Sequence, residues 1–539
     1  MSQDQTQEQS AAGLNEPGST LNAKEDDFDI LKTGYEELSA RYATLLNERD
    51  ILKAELEKLQ LAIKQLIRAR YGRKSERVDP EQLQLALEGL EQDVGAVTAA
   101  QEQAEAQVRK TRRPPERNRG HLPAHLERYE VVVDVADKTC PCCGGALHVI
   151  DEDVAEQLDV IPLRLRVTRR PRYGCRACAE AVVQAPAPER LITGGMATEA
   201  LVAQVVVAKY ADGLPLYRQA RIYARDGIDL DRSTLADWCG RAAWWLKPLW
   251  ELLLTTVLSS PKIFCDDTHL PVLAPGRGKT KTGYLWGFAR DDQPWAGELP
   301  PAVAYLYSED RTYDRPKPQL AGFSGVLQVD GWGGFKRLTG GTEAGALILA
   351  FCWSHARRQF YEIHQATQSP IAGEVIARIA ALYRIEDAIR GRPPDERVAV
   401  RQRESRPKVA ALKVYLETQL GRISGKSTLA TAIRYALNHG LCVFLSDGRV
   451  EIDTNTIERL HRIVATGRRN ALFAGSDAGA RSWAIFTSLI QSARLNGLDP
   501  FAYLKDVLEQ IVSGRVKNHE LARLLPWNWK AAQTAAPAA

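Results

Sequence analysis

Leucine recurs every seven residues in the first part of the chain, at Leu31, Leu38, Leu45, Leu52, Leu59 and Leu66. The second seam position is apolar too, apart from Arg49, and holds Tyr35, Tyr42, Leu56 and Ile63. This heptad pattern predicts a left-handed leucine-zipper coiled coil over residues 26–70. The coil either joins chains into a homo-oligomer, which we favour, or folds back on its own chain. Residues 1–25 are polar and aperiodic, which predicts disorder.

The pattern then becomes strongly charged. A basic cluster ends the coil at residues 68–77, an acidic stretch rich in Gln and Ala covers about 80–107, and a second basic run lies at 109–113. We therefore predict a linker over residues 71–125. Its basic parts either contact phosphates or are simply solvated.

Strict alternation marks the next segment. Arg164, Arg166, Arg170 and Arg172 alternate with apolar residues, which predicts a strand with one apolar and one cationic face. Two Cys-x-x-Cys knuckles flank it, with 31 residues between them, and they contain Cys140, Cys143, Cys175 and Cys178. Four such thiolates suit one structural Zn²⁺, so we predict a zinc ribbon over 126–190, with Cys142 as a spare thiol. The cationic strand is either a DNA-binding surface or an ordinary solvated edge strand.

A helical pattern covers residues 191–255. One helix starts at Pro215 and stops near Gly227, and Asp231 supplies an N-cap for the next. Helix, short turn and capped helix predict a helix-turn-helix-like region whose second helix reads a DNA groove and includes Arg232. Any pair of antiparallel helices would give a similar pattern.

Apolar runs predict five strands farther along, at residues 262–273, 281–290, 302–308, 325–329 and 346–351, with helices over about 355–440. Three antiparallel strands followed by α/β alternation predict a ribonuclease-H-like α/β catalytic domain over 256–515, with an all-α insertion over about 355–440 and a C-terminal tail over 516–539. The fold class is thus multidomain α+β.

Three carboxylates in this region are candidate metal ligands. Asp266 and Asp330 come at the ends of predicted strands, and Glu458 opens a predicted helix. Carboxylates that converge from two strands and a helix can hold two divalent ions about 3.5–4 Å apart, the arrangement used in phosphodiester chemistry.

Composition adds limits. The 539 residues carry a formal charge of only +4, from 71 basic and 67 acidic residues, so the argument for nucleic acid rests on local clusters. There is no apolar run near 18 residues and no leader pattern, from which we expect a cytoplasmic, nucleoid-associated bacterial protein. Nine cysteines in such a chain indicate metal binding before disulfides.

The motifs together resemble one family, the bacterial DDE transposases of the insertion sequence sixty-six type. The shared segments are Arg70-Tyr71-Gly72-Arg73-Lys74-Ser75-Glu76, the Cys140-Pro141-Cys142-Cys143-Gly144-Gly145 knuckle, Leu214-Pro215-Leu216-Tyr217-Arg218-Gln219, Ser233-Thr234-Leu235-Ala236-Asp237-Trp238, Cys352-Trp353-Ser354-His355-Ala356-Arg357-Arg358, Gly467-Arg468-Arg469-Asn470 and Phe473-Ala474-Gly475. The resemblance covers nearly the whole chain, and jointly these segments are highly specific.

The resemblance implies a transposase that binds element ends and target DNA. Asp266, Asp330 and Glu458 match the family's catalytic triad and would hold two Mg²⁺ (or Mn²⁺) ions for cleavage and strand transfer. Residues expected to grip phosphates near the site are His355, Arg357, Arg358, His461, Arg462, Arg468 and Arg469. The family's elements usually encode small companion proteins as well.

Two positions depart from the family pattern. Asp267 stands where the family usually has Glu, and Thr454 where it usually has Asn. The second change is expected to alter the local turn, because Asn tolerates left-handed geometry better than Thr. Two other functions stay open: a catalytically inactive DNA-binding regulator derived from a transposase, and a host nuclease of the same fold.

Overall fold

The computed structural model describes residues 80–108, 122, 125–160, 164–178, 181–274, 279–338 and 347–535. The predicted disordered segment and coiled coil therefore lie outside the described residues. The first described element is helix α1 (Pro80–Val108). It falls within the stretch for which we expected a linker.

Four strands form the sheet of the predicted zinc ribbon: β1 (Arg128–Val132), β2 (Leu147–Asp159), β3 (Arg164–Cys175) and β4 (Val182–Gln184). Strand β3 lies between β1 and β2 and also pairs with β4. Its alternation is as predicted, with Leu165 and Val167 buried. The edge-strand alternative is wrong, because β3 has neighbours on both sides.

The helical region comprises α2 (Glu199–Tyr210), α3 (Leu216–Arg225) and α4 (Arg232–Leu258). Asp231 caps α4 as predicted, since its side chain accepts a hydrogen bond from the backbone N–H of Ser233. Most of the first half of α4 is buried, including Leu235, Trp238 and Cys239. The helix-turn-helix order is thus present, but its second helix belongs to the core.

The central sheet contains the five predicted strands: β5 (Lys262–Ala274), β6 (Lys279–Arg290), β7 (Ala302–Ser308), β8 (Gly325–Val329) and β9 (Leu347–Phe351). Their order is β7-β6-β5-β8-β9. Strands β7, β6 and β5 are antiparallel, whereas β5, β8 and β9 run parallel. A short helix, α5 (Gly333–Leu338), follows β8.

The expected all-α insertion is helical throughout: α6 (Trp353–Thr367), α7 (Pro370–Ile389), α8 (Pro394–Val400), a π-helical turn (Arg401–Ser405), α9 (Arg406–Leu420), α10 (Thr428–Ala436) and a 3₁₀ segment (His439–Leu445). Next come α11 (Asn455–Leu460), α12 (Arg462–Ala471), α13 (Asp477–Leu495) and α14 (Pro500–Val512). These helices, the sheet and the helical region share one continuous apolar core.

The C-terminal segment is folded, contrary to the expected tail. It contains a 3₁₀ turn (Asn518–Leu524) and helix α15 (Pro526–Ala535). The Tyr503 hydroxyl donates to the carbonyl of Leu524 (2.7 Å), and the Trp529 indole donates to Asp506 (2.6 Å). The leucines and tryptophans of this segment therefore stabilise its fold, which its Ala-rich composition did not indicate.

Helix α1 packs tightly on α4, which corrects the linker prediction. A Cβ at Gly240 of α4 would lie 1.8 Å from the carbonyl oxygen of Gln92, and one at Gly95 would lie 2.4 Å from that of Asp237. Only glycine permits such an approach. Glu88 and Gln92 are buried there, and Glu88 pairs with Lys209 at 2.8 Å. Among the described helices, none is long and apolar enough to cross a membrane.

Candidate active site

The parallel strands bring Asp266 and Asp330 to one level of the sheet. Residues 262, 263 and 264 of β5 pair with residues 326, 327 and 328 of β8. The same offset of 64 places Asp266 level with Asp330, and neighbouring strands lie about 4.8 Å apart. Asp330 directly follows β8, whereas β5 continues past Asp266 to Ala274, so the prediction that Asp266 ends its strand is wrong. Strand β9 pairs in the same way as β8, and Cys352 follows its last paired residue. Asp266, Asp330 and Cys352 thus form a row across three parallel strands.

The helix that carries Glu458 is anchored to the same edge of the sheet. The buried Gln328 side-chain amide of β8 donates to the carbonyls of Glu451 (2.7 Å) and Asp453 (2.9 Å). The backbone N–H of Thr454 donates to the Cys352 sulfur at 3.3 Å. Asp453, which precedes the N-cap residue Thr454, accepts from the backbone N–H of Asn455 (3.0 Å). These bonds fix where α11 starts, and therefore where Glu458 lies.

A glycine lets α11 approach the sheet. Gly287 of β6 pairs directly with Asp266 on one side and Tyr305 on the other. A Cβ at Gly287 would lie 2.9 Å from Ile457 Cδ1 and 3.0 Å from His461 Cε1. Because these two residues flank Glu458 along the chain, the missing side chain brings the Glu458 helix against the strand that carries Asp266.

His461 lies beside Asp266. Its Nε2 is 3.5 Å from Asp266 Oδ2, and its side chain is only 10% exposed. Both of its ring nitrogens are buried without a hydrogen-bond partner in the described part of the chain. The sequence suggested a phosphate contact for His461; the structure instead points it inward, at a candidate metal ligand.

One arginine that sequence reasoning missed partly neutralises the acids. Arg311 Nε donates to Asp267 Oδ1 at 2.7 Å, and its second nitrogen lies 3.7 Å from Asp330 Oδ2. Burial raises the pKa of Asp267 to about 6 despite that bond. Burial also raises the pKa of Asp330, and the neighbouring Asp266 adds to the shift. Buried carboxylates that resist ionisation in this way favour a bound cation. No motif singles out Arg311, which lies in the loop after β7.

The helical insertion stabilises the backbone at Asp330. The Tyr435 hydroxyl of α10 donates to the Asp330 carbonyl (2.5 Å), and Gly331 adopts a left-handed φ of 91° against the Tyr435 ring. The Asp330 carboxylate accepts from the backbone N–H of Trp332 at 2.8 Å. The turn after β8 is therefore held in one conformation.

Two nitrogen-bearing side chains lie near Glu458. His355 Nδ1 lies 3.7 Å from Glu458 Oε1, and an Arg358 nitrogen lies 3.7 Å from Oε2. Arg358 is 58% exposed, so it remains accessible to a ligand. Within the described residues, Cys352, His355 and Glu458 form one of two groups whose potential ligand atoms all lie within 4.8 Å of one another.

The other group is the four predicted cysteines of the ribbon, Cys140, Cys143, Cys175 and Cys178. The Cys140 and Cys178 sulfurs are 3.6 Å apart, and those of Cys143 and Cys175 are 3.5 Å apart. Tetrahedral Zn–S bonds of about 2.3 Å place sulfurs about 3.8 Å apart, so this donor set fits a structural zinc ion. Cys142 is exposed and stands outside the group.

Known families match along most of the chain. The model described as "Transposase IS66 family" matches residues 194–482, more than half of the chain. The chain belongs to the IS66 transposase family. Further matches are "zinc-finger binding domain of transposase IS66" at 137–179, "IS66 C-terminal element" at 488–527 and "Transposase C of IS166 homeodomain" at 58–131.

Full-length relatives agree with this membership. The uncharacterized protein y4jD of Sinorhizobium fredii is 46% identical over 506 residues, covering 92% of this chain and 99% of its own. The uncharacterized protein y4qI of the same organism is 41% identical over 533 residues, covering 94% and 97%. Membership in the IS66 family supports a transposase role, with DNA binding and divalent metal use.

The two departures from the IS66 pattern have local explanations. Asp267 is bound by Arg311, and its side chain is only 5% exposed. Thr454 has φ −103° and ψ 18°, so the backbone at this position does not require the left-handed tolerance of Asn. Thr454 therefore fits this backbone conformation, and an altered turn stays a prediction.

The predicted DNA-binding arginines near the site differ in availability. Arg462 and Arg469 are exposed on α12, and Arg357 lies over the Tyr361 ring. Arg468 is committed to the protein, since it donates to the Thr268 hydroxyl (2.9 Å) and the His269 carbonyl (2.7 Å). It therefore holds α12 against β5.

The arginines predicted for DNA binding on β3 face acids of the neighbouring strand. Arg164 lies opposite Asp159, Arg170 opposite Asp153 and Arg172 opposite Asp151. Arg170 and Arg172 both bind Asp153, and Arg172 also binds Asp151 at 2.8 Å. Arg166 bonds to Gln157 (2.8 Å) and lies 3.5 Å from Glu199. The expected cationic face is thus a row of cross-strand ion pairs.

Arg232 is occupied as well. Both of its terminal nitrogens bind the Glu91 carboxylate of α1, at 2.7 and 2.9 Å. Farther along α4, Arg241 binds Glu102 of α1 at 2.7 Å. In this arrangement the acidic helix α1 covers the first turn of α4 and pairs with Arg232; DNA reading by α4 stays a prediction.

Proposed function

We propose that this chain is a transposase that binds the ends of its element and catalyses metal-dependent phosphodiester cleavage and strand transfer. Asp266, Asp330 and Glu458 would hold two divalent ions, Mg²⁺ or Mn²⁺. The observation that carries the proposal is the level placement of Asp266 and Asp330 on parallel strands, with the Glu458 helix packed on the same edge.

The sheet supports a ribonuclease-H-like catalytic domain. Three antiparallel strands lie beside two parallel ones, in the order β7-β6-β5-β8-β9. The first acid lies on the central strand and the second at the end of its parallel neighbour. The helical insertion then separates the second acid from the third. We propose this domain for residues 256–535, which includes the folded C-terminal segment.

The chemistry follows from the positions of the side chains. Two ions held here would activate a hydroxyl nucleophile and stabilise the leaving oxygen. By the family resemblance, Asp266 would contact both ions, while Asp330 and Glu458 would each complete one site. Arg311 holds Asp267 and approaches Asp330, so it limits repulsion among the acids.

Two transfers would use this site in turn. Water first attacks the phosphodiester at the element end, which releases a 3′-hydroxyl group. That hydroxyl then attacks the target DNA in line, joining the strands and releasing a target 3′-hydroxyl. Arg358 lies 3.7 Å from Glu458, and Arg462 and Arg469 are exposed on α12; all three are candidates for the phosphate contacts of both steps.

The remaining parts would serve assembly on DNA. We propose that Cys140, Cys143, Cys175 and Cys178 bind a structural Zn²⁺. The heptad leucines would join chains so that two element ends meet. Small companion proteins encoded by the element are a further proposed component of this assembly.

The test is cleavage and joining of a labelled element-end duplex by the full chain, with and without Mg²⁺ or Mn²⁺. Wild type is compared with Asp330→Asn and Glu458→Gln, and with Asp506→Asn as a matched carboxylate control far from the site. The proposal expects both site variants to lose cleavage while they keep DNA binding. Binding without chemistry in wild type, with or without companion proteins, would instead indicate an inactive DNA-binding regulator.

A further inference from the structure

His355 Nδ1 and Glu458 Oε1 are buried polar atoms of the candidate site that face each other at 3.7 Å. Neither is exposed to solvent, and neither has a hydrogen-bond partner among the described residues. Leaving such atoms unsatisfied is costly, and native proteins rarely do so. The pair therefore suggests a bound group between the two atoms.

A direct hydrogen bond does not explain the pair. The distance of 3.7 Å exceeds hydrogen-bond length for a nitrogen and an oxygen. A divalent ion at about 2.1 Å from each atom would hold them about 3.0–3.4 Å apart in regular octahedral or tetrahedral geometry. The two side chains need to close by only a few tenths of an ångström to bind one ion together.

The topology explains why a histidine lies here. Cys352 follows β9 and is level with Asp330, and His355 lies in the first turn of α6. The Cys352 sulfur also belongs to the group of three, but it already accepts the N–H of Thr454 and so anchors the start of α11. The imidazole nitrogen is the atom of this group that remains unused beside Glu458.

We propose that His355 Nδ1 is a ligand of the same divalent ion as Glu458. The proposal rests on the proposed function, in which Glu458 binds a metal ion. With His355 and Glu458 as ligands, one metal site would have mixed nitrogen and oxygen ligands. The other, between Asp266 and Asp330, would have only carboxylate ligands. An imidazole ligand favours transition-metal ions over Mg²⁺, which prefers oxygen and retains its waters. This chain should accordingly use Mn²⁺ better than Mg²⁺.

Electron spin echo spectroscopy of Mn²⁺ tests the ligand directly. The full chain, with its zinc retained and an element-end duplex bound, is loaded with Mn²⁺ and prepared with either ordinary or nitrogen-15 histidine. We expect a nitrogen modulation that changes with the isotope and disappears in His355→Gln. The modulation should persist in His364→Gln, a histidine on the same helix that bonds to the Ser369 carbonyl (3.0 Å). It should also persist in His461→Gln.

The metal dependence of cleavage gives a second measurement, which would not change if His355 had only a structural role. His355→Gln should weaken Mn²⁺ affinity at least about tenfold, the loss typical even of residues that only support a ligand. The ratio of Mn²⁺- to Mg²⁺-supported cleavage should fall, and His355→Asp should restore cleavage with Mg²⁺ in particular. A substitution that only destabilised the protein would lower Mn²⁺-supported and Mg²⁺-supported cleavage to the same extent.

The outcomes separate this proposal from the proposed function. Mn²⁺ that binds in wild type and is lost in Glu458→Gln, but shows no histidine coupling, overturns the ligand role of His355 and leaves the proposed function standing. A nitrogen coupling that survives His355→Gln has the same meaning. Mn²⁺ binding that is unaffected by both Asp330→Asn and Glu458→Gln overturns the proposed function itself.

Discussion

The Glu458 helix packs on the sheet at Gly287, so Gly287→Ala should displace this helix without changing any residue of the triad. The new Cβ would lie 2.9 Å from Ile457 Cδ1, 3.0 Å from His461 Cε1 and 3.2 Å from Tyr305 Cε1. Ordinary contact begins near 3.4 Å. The residues on either side of Glu458 must therefore retreat by about half an ångström.

Two magnitudes follow from that displacement. Overpacking of this kind costs about 1–3 kcal/mol of unfolding free energy. A misplacement of about 1 Å at a catalytic group costs on the order of a hundredfold, so half of that should lower the cleavage rate roughly tenfold. The assay is single-turnover cleavage of the element-end duplex at saturating metal, paired with thermal unfolding of the same sample.

Gly283→Ala supplies the matched control. Gly283 lies four residues away on the same strand, and its added Cβ would meet the Tyr307 ring at 2.6 Å, away from α11. It should destabilise the fold at least as much as Gly287→Ala while changing the cleavage rate less than about twofold. Equal rates for the two variants at matched stability would refute the idea that Gly287 sets the position of Glu458.

Three further predictions concern the rest of the molecule. Cys175→Ser should release the ribbon zinc, whereas Cys142→Ser should not; structural zinc typically contributes on the order of 10 kcal/mol to such modules. Zinc content that mass spectrometry finds unchanged in Cys175→Ser would reject the site. Removal of residues 1–70 should yield a smaller assembly by analytical ultracentrifugation, and an unaltered number of chains per particle would reject the intermolecular coil. Burial lowers the pKa of Lys262 to about 8. The unfolded chain then binds more protons between pH 8 and about 10.4, so wild-type stability should rise across that range. Lys262→Met should be about 3 kcal/mol more stable than wild type at pH 7, and this advantage should disappear above about pH 10 in denaturant titrations. A constant difference at all pH values would show that burial of the charge is not the cause.

The sequence was most informative for elements that a local pattern marks. The five strands of the central sheet are apolar runs of ordinary length; Asp330 directly follows one of them, and Asp266 lies inside another. The approach of the two acids could be predicted from these strands, but not the register that sets them level. The four cysteines were equally readable, since thiolates at that spacing have few other uses.

Contacts distant in sequence were not readable in this way. Helix α1 looks like a charged linker because the buried Glu88 and Gln92 are polar, and their partners Lys209 and Tyr210 lie more than a hundred residues away. Arg311 and Gln328 carry no motif, yet one partly neutralises the acids and the other fixes the start of α11. The arginines of β3 suggested a DNA surface because the sequence alone does not give the register that sets them against the acids of β2.

Anomalous diffraction can show whether Asp266, Asp330 and Glu458 hold a pair of divalent ions. Crystals of the full chain with an element-end duplex would be soaked in Mn²⁺, alongside crystals of Glu458→Gln. We expect two Mn²⁺ peaks about 3.5–4 Å apart in wild type, both within bonding distance of Asp266, with one lost in the variant. Peaks that lie away from these carboxylates, or that are unchanged in Glu458→Gln, would contradict the proposed function.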